Sequence, residues 1–122
     1  MDKVLVDTNV LLRYLLDDVE DQALVAEHVL DGGAWTTVDV LAEITYVLEC
    51  VYKLDRKSIA AALSIVVNHV DIEPYGVVLA AIKEYEASSI DFVDCMMVAY
   101  DRLGVTRVFS FDKDVNKRLT AV

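Results

Sequence analysis

The chain has 122 residues, 56% of them hydrophobic, with only 4 Gly and 1 Pro, which excludes a disordered, collagen-like or low-complexity polymer. A chain of this length buries about two-thirds of its unfolded surface, enough for one core without disulfides or a structural metal. Eleven basic against 21 acidic residues leave a net charge of −10, the opposite of an ordinary nucleic-acid module's footprint. Any chemistry on nucleic acid therefore needs positive charge from elsewhere.

In chain order, Lys3–Val6 is a β-branched run ending at Asp7 and reads as a buried strand. Asn9–Asp17 carries a wide apolar stripe at helical spacing, and Asp18–Glu20 is a polar break. Asp21–Leu30 is a second helix, stopped by Gly32-Gly33, and Ala34–Thr37 follows as a short strand. Val38 to about Lys53 is apolar almost all round, which belongs in the core of a layered fold. The next helix, Arg56 to Val70, presents Ile59, Ala60, Leu63, Val66 and Val67. Asp71–Glu73 is a third short strand, and Pro74 suits the first turn of a helix over Tyr75–Glu86. Ser88–Asp91 signals the start of a strongly apolar helix, Phe92–Leu103, closed by Gly104. Val105–Ser110 then reads as a strand and Asp112–Leu119 as a last helix. The alternation predicts an α/β fold, with a mainly parallel sheet of four to five short strands flanked by helices, in a single domain over 1–122.

The opening MDKVLVDTN holds no signal-like apolar stretch, and no apolar run approaches the ~18 residues that cross a bilayer. Cys50 and Cys95 lie in apolar helical patterns without metal-ligand spacing, so we expect buried free thiols in a cytoplasmic protein. His28 and His69 are singletons, expected on helix surfaces.

Four acids sit uneasily in their surroundings. Asp7 ends the first strand, where open parallel sheets place ligands. Glu43 and Asp94 interrupt two of the most apolar helices, and Asp112 follows the last strand. Buried carboxylates without partners are costly, and no comparable set of internal Lys or Arg lies in these segments. Carboxylates gathered at the end of a sheet need cations, and Mg²⁺ or Mn²⁺ prefers oxygen ligands. Plainer roles stay open: Asp7 as a helix cap, Glu43 reaching out to solvent, and Asp112 and Asp114 as solvated charges. Asp91 reads as an N-cap, with Asp94 three residues on. On a helix that pair stands roughly 5–6 Å apart and repels unless a cation intervenes. Asp17, Asp18, Glu20, Glu84 and Glu86 read as solvated faces.

The segments VLVDTN, LAEITYVLE, DFVDCMMVAY and VFSFDKDV, from Lys3 to about Val115, together resemble a PIN-domain nuclease, most closely the VapC-like toxins. The resemblance implies that Asp7, Glu43, Asp94 and Asp112 hold metal, with Asp91 as an additional acid. It implies that Asn9 supports Asp7 by hydrogen bonding, that Ser110 is a small hydroxyl before the last acid, and that Thr8 shares the turn of Asp7. The implied activity is Mg²⁺- or Mn²⁺-dependent endonucleolytic cleavage of RNA, leaving a 5′-phosphate and a 3′-hydroxyl. Two metals would add four positive charges locally, and Arg13 and Lys113 are candidates for a substrate rim.

The charge of −10 favours a small, selective RNA footprint and a basic or hydrophobic antitoxin partner, which VapC-like toxins have. A homodimer is also expected, although Leu11, Leu12, Leu15, Leu16 and Trp35, the apolar residues available for interfaces, equally read as core. A receiver domain would need a mid-chain strand where Val38–Val70 is helical. A haloacid-dehalogenase-like phosphatase would need a second acid where Asn9 stands. The remaining alternative is a PIN-like module that binds partners or metal without turnover.

Overall fold

A computed structural model describes residues 2–120. The chain divides into two compact units, Met1–Glu73 and Pro74–Val122. The first contains β1 (Val4–Leu5), α1 (Thr8–Leu16), α2 (Glu20–Asp31), β2 (Ala34–Trp35), α3 (Val38–Cys50) and α4 (Arg56–His69); the second contains α5 (Tyr75–Ala87), α6 (Phe92–Arg102) and α7 (Lys113–Asn116). No described helix is long and apolar enough to cross a membrane.

In the first unit β1 and β2 run parallel, with Val4 opposite Ala34 and Leu5 opposite Trp35. The ladder extends past both strands: the Val6 amide donates to the Trp35 carbonyl at 3.0 Å, and the Thr36 amide to the Asp71 carbonyl at 2.9 Å. Asp71 thus adds a parallel bridge to Trp35 instead of the expected third strand, because Pro74, which lacks an amide donor, opens α5 three residues later. The buried stripes of α1, α3 and α4 supply the core: Leu11, Ile44, Ile59, Leu63 and Val66 have no exposed surface. Each such side chain contributes about 1.5–3 kcal/mol on burial.

The α/β class is as expected, but the sheet is smaller than four to five strands. Val105–Ser110, expected as a strand, carries no sheet hydrogen bonds among the described residues. Its β-branched and aromatic composition permits an extended chain, yet a strand exists only where a partner lies alongside. None does here, and Val105 is 58% exposed.

Helix ends also differ in informative places. α3 stops at Cys50, not Lys53, because Lys53 takes a left-handed conformation (φ 57°) and the Leu54 amide turns back to the Leu48 carbonyl at 3.0 Å. α1 ends the same way at Asp17 (φ 52°). Left-handed stops normally announce themselves as glycine; these two do not. α7 spans one turn where a helix to Leu119 was expected.

The second unit is built on the pairing of α5 with α6. Val78, Tyr85, Phe92, Cys95 and Val98 are buried, with the Tyr85 and Phe92 rings 6.4 Å apart and tilted. Val115 of α7 is buried too. Cys95 is buried and outside any disulfide, as expected; Cys50 is exposed, since it closes α3 on the side opposite Leu41, Ile44 and Leu48. His28 and His69 are exposed as expected.

Candidate functional site

Three of the candidate acids open helices. The Asp7 Oδ1 accepts from the Val10 amide at 3.1 Å at the start of α1. Asp91 does the same for the Asp94 amide at 2.9 Å at the start of α6. Asp112 accepts from the Asp114 and Val115 amides at 2.8 and 3.0 Å, opening α7. Each cap is worth about 1 kcal/mol. In Asp7 and Asp112 the cap engages Oδ1 alone; an ionised carboxylate has about four lone-pair sites, so the second oxygen remains available to a cation.

The second unit brings three acids into electrostatic reach of one another. Asp94 lies half-buried in the first turn of α6, and its carboxyl titrates above the ordinary carboxylate value. Burial contributes most to this; the negative charges of Asp91 and Asp112 add to it, as does a hydrogen bond with the Asp91 side chain. Asp112 is fixed by a closed turn. Its amide donates to the Ser110 Oγ at 2.9 Å, and the Asn116 side chain donates to the Ser110 carbonyl at 2.8 Å. Ser110 thus shapes the backbone that presents Asp112. Lys113, next in sequence, is exposed.

The first unit holds Asp7, Thr8, Asn9, Arg13 and Glu43. Thr8 is buried at the head of α1. The carboxylate of Asp7 is held by the Val10 amide, not by the Asn9 side chain that was expected to support it. The guanidinium of Arg13 is tied at 2.8 Å to Asp18, which is exposed as expected. Arg13 and Asn9 share the wall of a mostly apolar groove with Val25 and Val29.

Burial departs from expectation. Asp7, Glu43 and Asp112 are exposed, and only Asp94 is partly covered. For Glu43 the reason is the stripe of α3: Leu41, Ile44, Thr45 and Leu48 turn inward, and Glu43 falls off that face. Among the described residues, no three His, Cys, Asp or Glu side chains converge closely enough to hold a metal ion.

The buried acid of this chain is Glu84, which reads in sequence as a solvated charge. It is 6% exposed and is clasped by two arginines, Arg102 at 2.6 Å and Arg118 at 2.7 Å. Arg102 also donates to the Arg118 carbonyl, and Asp101 accepts from the backbone and hydroxyl of Thr120. The segment that carries Asp112 is therefore latched to the far end of the helix that carries Asp94. The partners of Glu84 lie 18 and 34 residues away, and no sequence spacing reports such a clasp.

No solved structure matches the chain significantly. Among curated proteins, a VapC ribonuclease of Aquifex aeolicus (strain VF5) is 29% identical over 123 residues, covering 93% of this chain and 90% of the relative. The PIN domain model matches residues 4–119. That span takes in every acid discussed above, so the chain belongs to the PIN domain family.

Proposed function

We propose that this chain is a divalent-metal-dependent endoribonuclease of the toxin–antitoxin kind, inhibited by a basic or hydrophobic antitoxin segment and acting as a homodimer. The observation that carries the reading is the gathering of Asp91 and Asp112 around the half-buried carboxyl of Asp94, in a PIN domain whose relative is a VapC ribonuclease. Asp7, Glu43, Asp94 and Asp112, with Asp91 as an additional acid, are the proposed ligands of Mg²⁺ or Mn²⁺. Their all-oxygen donor set suits a hard cation, and a cation offsets the burial and the repulsion from Asp91 and Asp112 that raise the Asp94 carboxyl above its ordinary value.

When bound, such an ion polarises the scissile phosphate and lowers the pKa of an attacking water. The chain's own contribution is placement. Asp112 caps its helix through one oxygen and offers the other, while Asp91 caps α6 and hydrogen-bonds with the Asp94 side chain. Ser110 and Asn116 hold the turn of Asp112, and Lys113 supplies positive charge next to it. No His or Lys is needed as a base, and the products are a 5′-phosphate and a 3′-hydroxyl.

The test is cleavage of a total-RNA pool by the parent with Mn²⁺, by the parent with EDTA, and by Asp94→Asn with Mn²⁺. We expect metal-dependent cuts that the variant does not make. A variant that cuts as well as the parent would remove Asp94 from the site. An inactive parent that binds Mn²⁺ would favour a PIN module without turnover.

A further inference from the structure

The most exposed large apolar side chains of the described residues stand beside the acid cluster. Phe109 is 79% and Phe111 91% exposed, and their rings meet edge to face with centroids 5.1 Å apart at 80°. In that arrangement the ring presenting its edge keeps both faces open and the other keeps one. Ser110, between them, turns the opposite way to receive the Asp112 amide. Phe109 forms one wall of a cleft of about 850 Å³, lined also by Arg107, Ser110, Asn116 and Thr120.

Charge is distributed to match. Residues 102–118 carry five basic and two acidic side chains in a chain whose net charge is −10. Arg107 and Lys113 bracket the two rings, and among the described residues neither is ion-paired. Lys117 lies at the long limit of 4.0 Å from Asp114, with both side chains open to solvent. Aromatic faces interleaved with free cations are what single-stranded nucleic acid is held by: bases stack on the rings, and the backbone follows the charges. A protein-docking surface shares the rings and the arginine but is depleted of lysine and aspartate, whereas Lys113, Lys117, Asp112 and Asp114 stand here.

We infer that Phe109 and Phe111, with the cleft beneath Phe109, form a nucleobase-stacking subsite that holds single-stranded RNA next to Asp112. This rests on the endoribonuclease reading and adds to it where the substrate's bases are gripped. It also answers the charge deficit, because stacking supplies affinity that does not depend on net charge. Arg107 and Asp101 line the cleft where a base edge would lie; the Asn116 amide and the Thr120 hydroxyl already donate to Ser110 and Asp101, so the Arg107 guanidinium is what gives the subsite a means of base preference.

The experiment measures binding of labelled single-stranded RNA of about ten nucleotides, a length within the usual site size of such grooves, to the full chain in EDTA. Phe109→Ala and Phe111→Ala should each weaken binding about five- to a hundredfold. Phe109→Tyr and Phe111→Tyr should keep most of it, and the melting temperature should be unchanged in all four. Alanine variants that bind as the parent does, while the parent cuts RNA with Mn²⁺, overturn the subsite and leave the nuclease standing. A parent that neither binds nor cuts overturns both. Alanine variants with intact RNA affinity but a lowered melting temperature or altered oligomeric state assign the rings to a protein contact, and the subsite falls.

Discussion

Asp94 receives charge from two directions, and one substitution measures the consequence. Its carboxyl holds a proton more tightly in the folded chain than in the unfolded one, where the ordinary value is 3.8. Folding is therefore favoured by this group below that value, and the contribution is lost as pH rises through the higher folded value. Asp94→Asn should thus stabilise the metal-free chain near neutral pH and have little effect near pH 3.8. The gain is about 0.2–0.5 kcal/mol, the usual scale of a like-charge pair on a helix surface, or about 1–3 °C in melting temperature. Melting both proteins in EDTA across that range checks it; a variant less stable than its parent at neutral pH would mean that Asp94 is not under repulsion. The oddity of Asp94 was legible, because an acid inside Phe92–Val98 contradicts its neighbours. The exposure of Glu43 was not, because on a helix with so few polar residues only packing decides which face is covered.

The Glu84 clasp is the decisive arrangement among elements. It joins α5, α6 and the segment after α7 through one carboxylate whose side chain is 5% exposed, while the side chains of Arg102 and Arg118 are 49% and 33% exposed. Removing the acid and removing the bases therefore have unequal costs. Glu84→Gln leaves two arginines that turn to water, and should cost about 1–2 kcal/mol, the scale of a charged hydrogen bond net of solvation. The double variant Arg102→Met, Arg118→Met leaves a buried carboxylate with neither clasping partner, and should cost about 3–5 kcal/mol. Urea unfolding of both variants checks the order; equal costs would show that Glu84 reaches solvent. Neither helix α5 nor α6 announces this clasp, since the base of α5, Lys83, is adjacent to Glu84 and not three or four residues away, and such a Glu looks like every other surface acid. The strand expected over Val105–Ser110 failed for a related reason. Residue preference favours an extended chain there, but hydrogen bonding to a neighbour is a property of the pairing and not of the segment.

At the scale of the whole molecule, a net charge of −10 sets how RNA is held. The chain as a whole repels polyanions, and the proposed attraction comes from residues 102–118, where Arg107 and Lys113 are not ion-paired among the described residues and Lys117 is only loosely so. With about three phosphates neutralised, the logarithm of affinity should fall with the logarithm of salt at a slope of about −2 for a single strand. Arg107→Gln should make that slope shallower by about 0.7, while Phe109→Ala should lower affinity at every salt concentration and leave the slope alone, because a stacked base releases no counterions. Titrating labelled RNA in EDTA between about 50 and 200 mM salt separates the two contributions. A slope steeper than about −4 would require more cations than this segment offers and would place the RNA on a surface outside it. The sequence total alone argues against nucleic acid altogether; what it conceals is that five of the 11 basic residues lie within 17 consecutive positions. Selectivity follows from that arrangement. A net-acidic chain with an aromatic, basic strip beside its acids holds a short single-stranded segment there by stacking more than by charge.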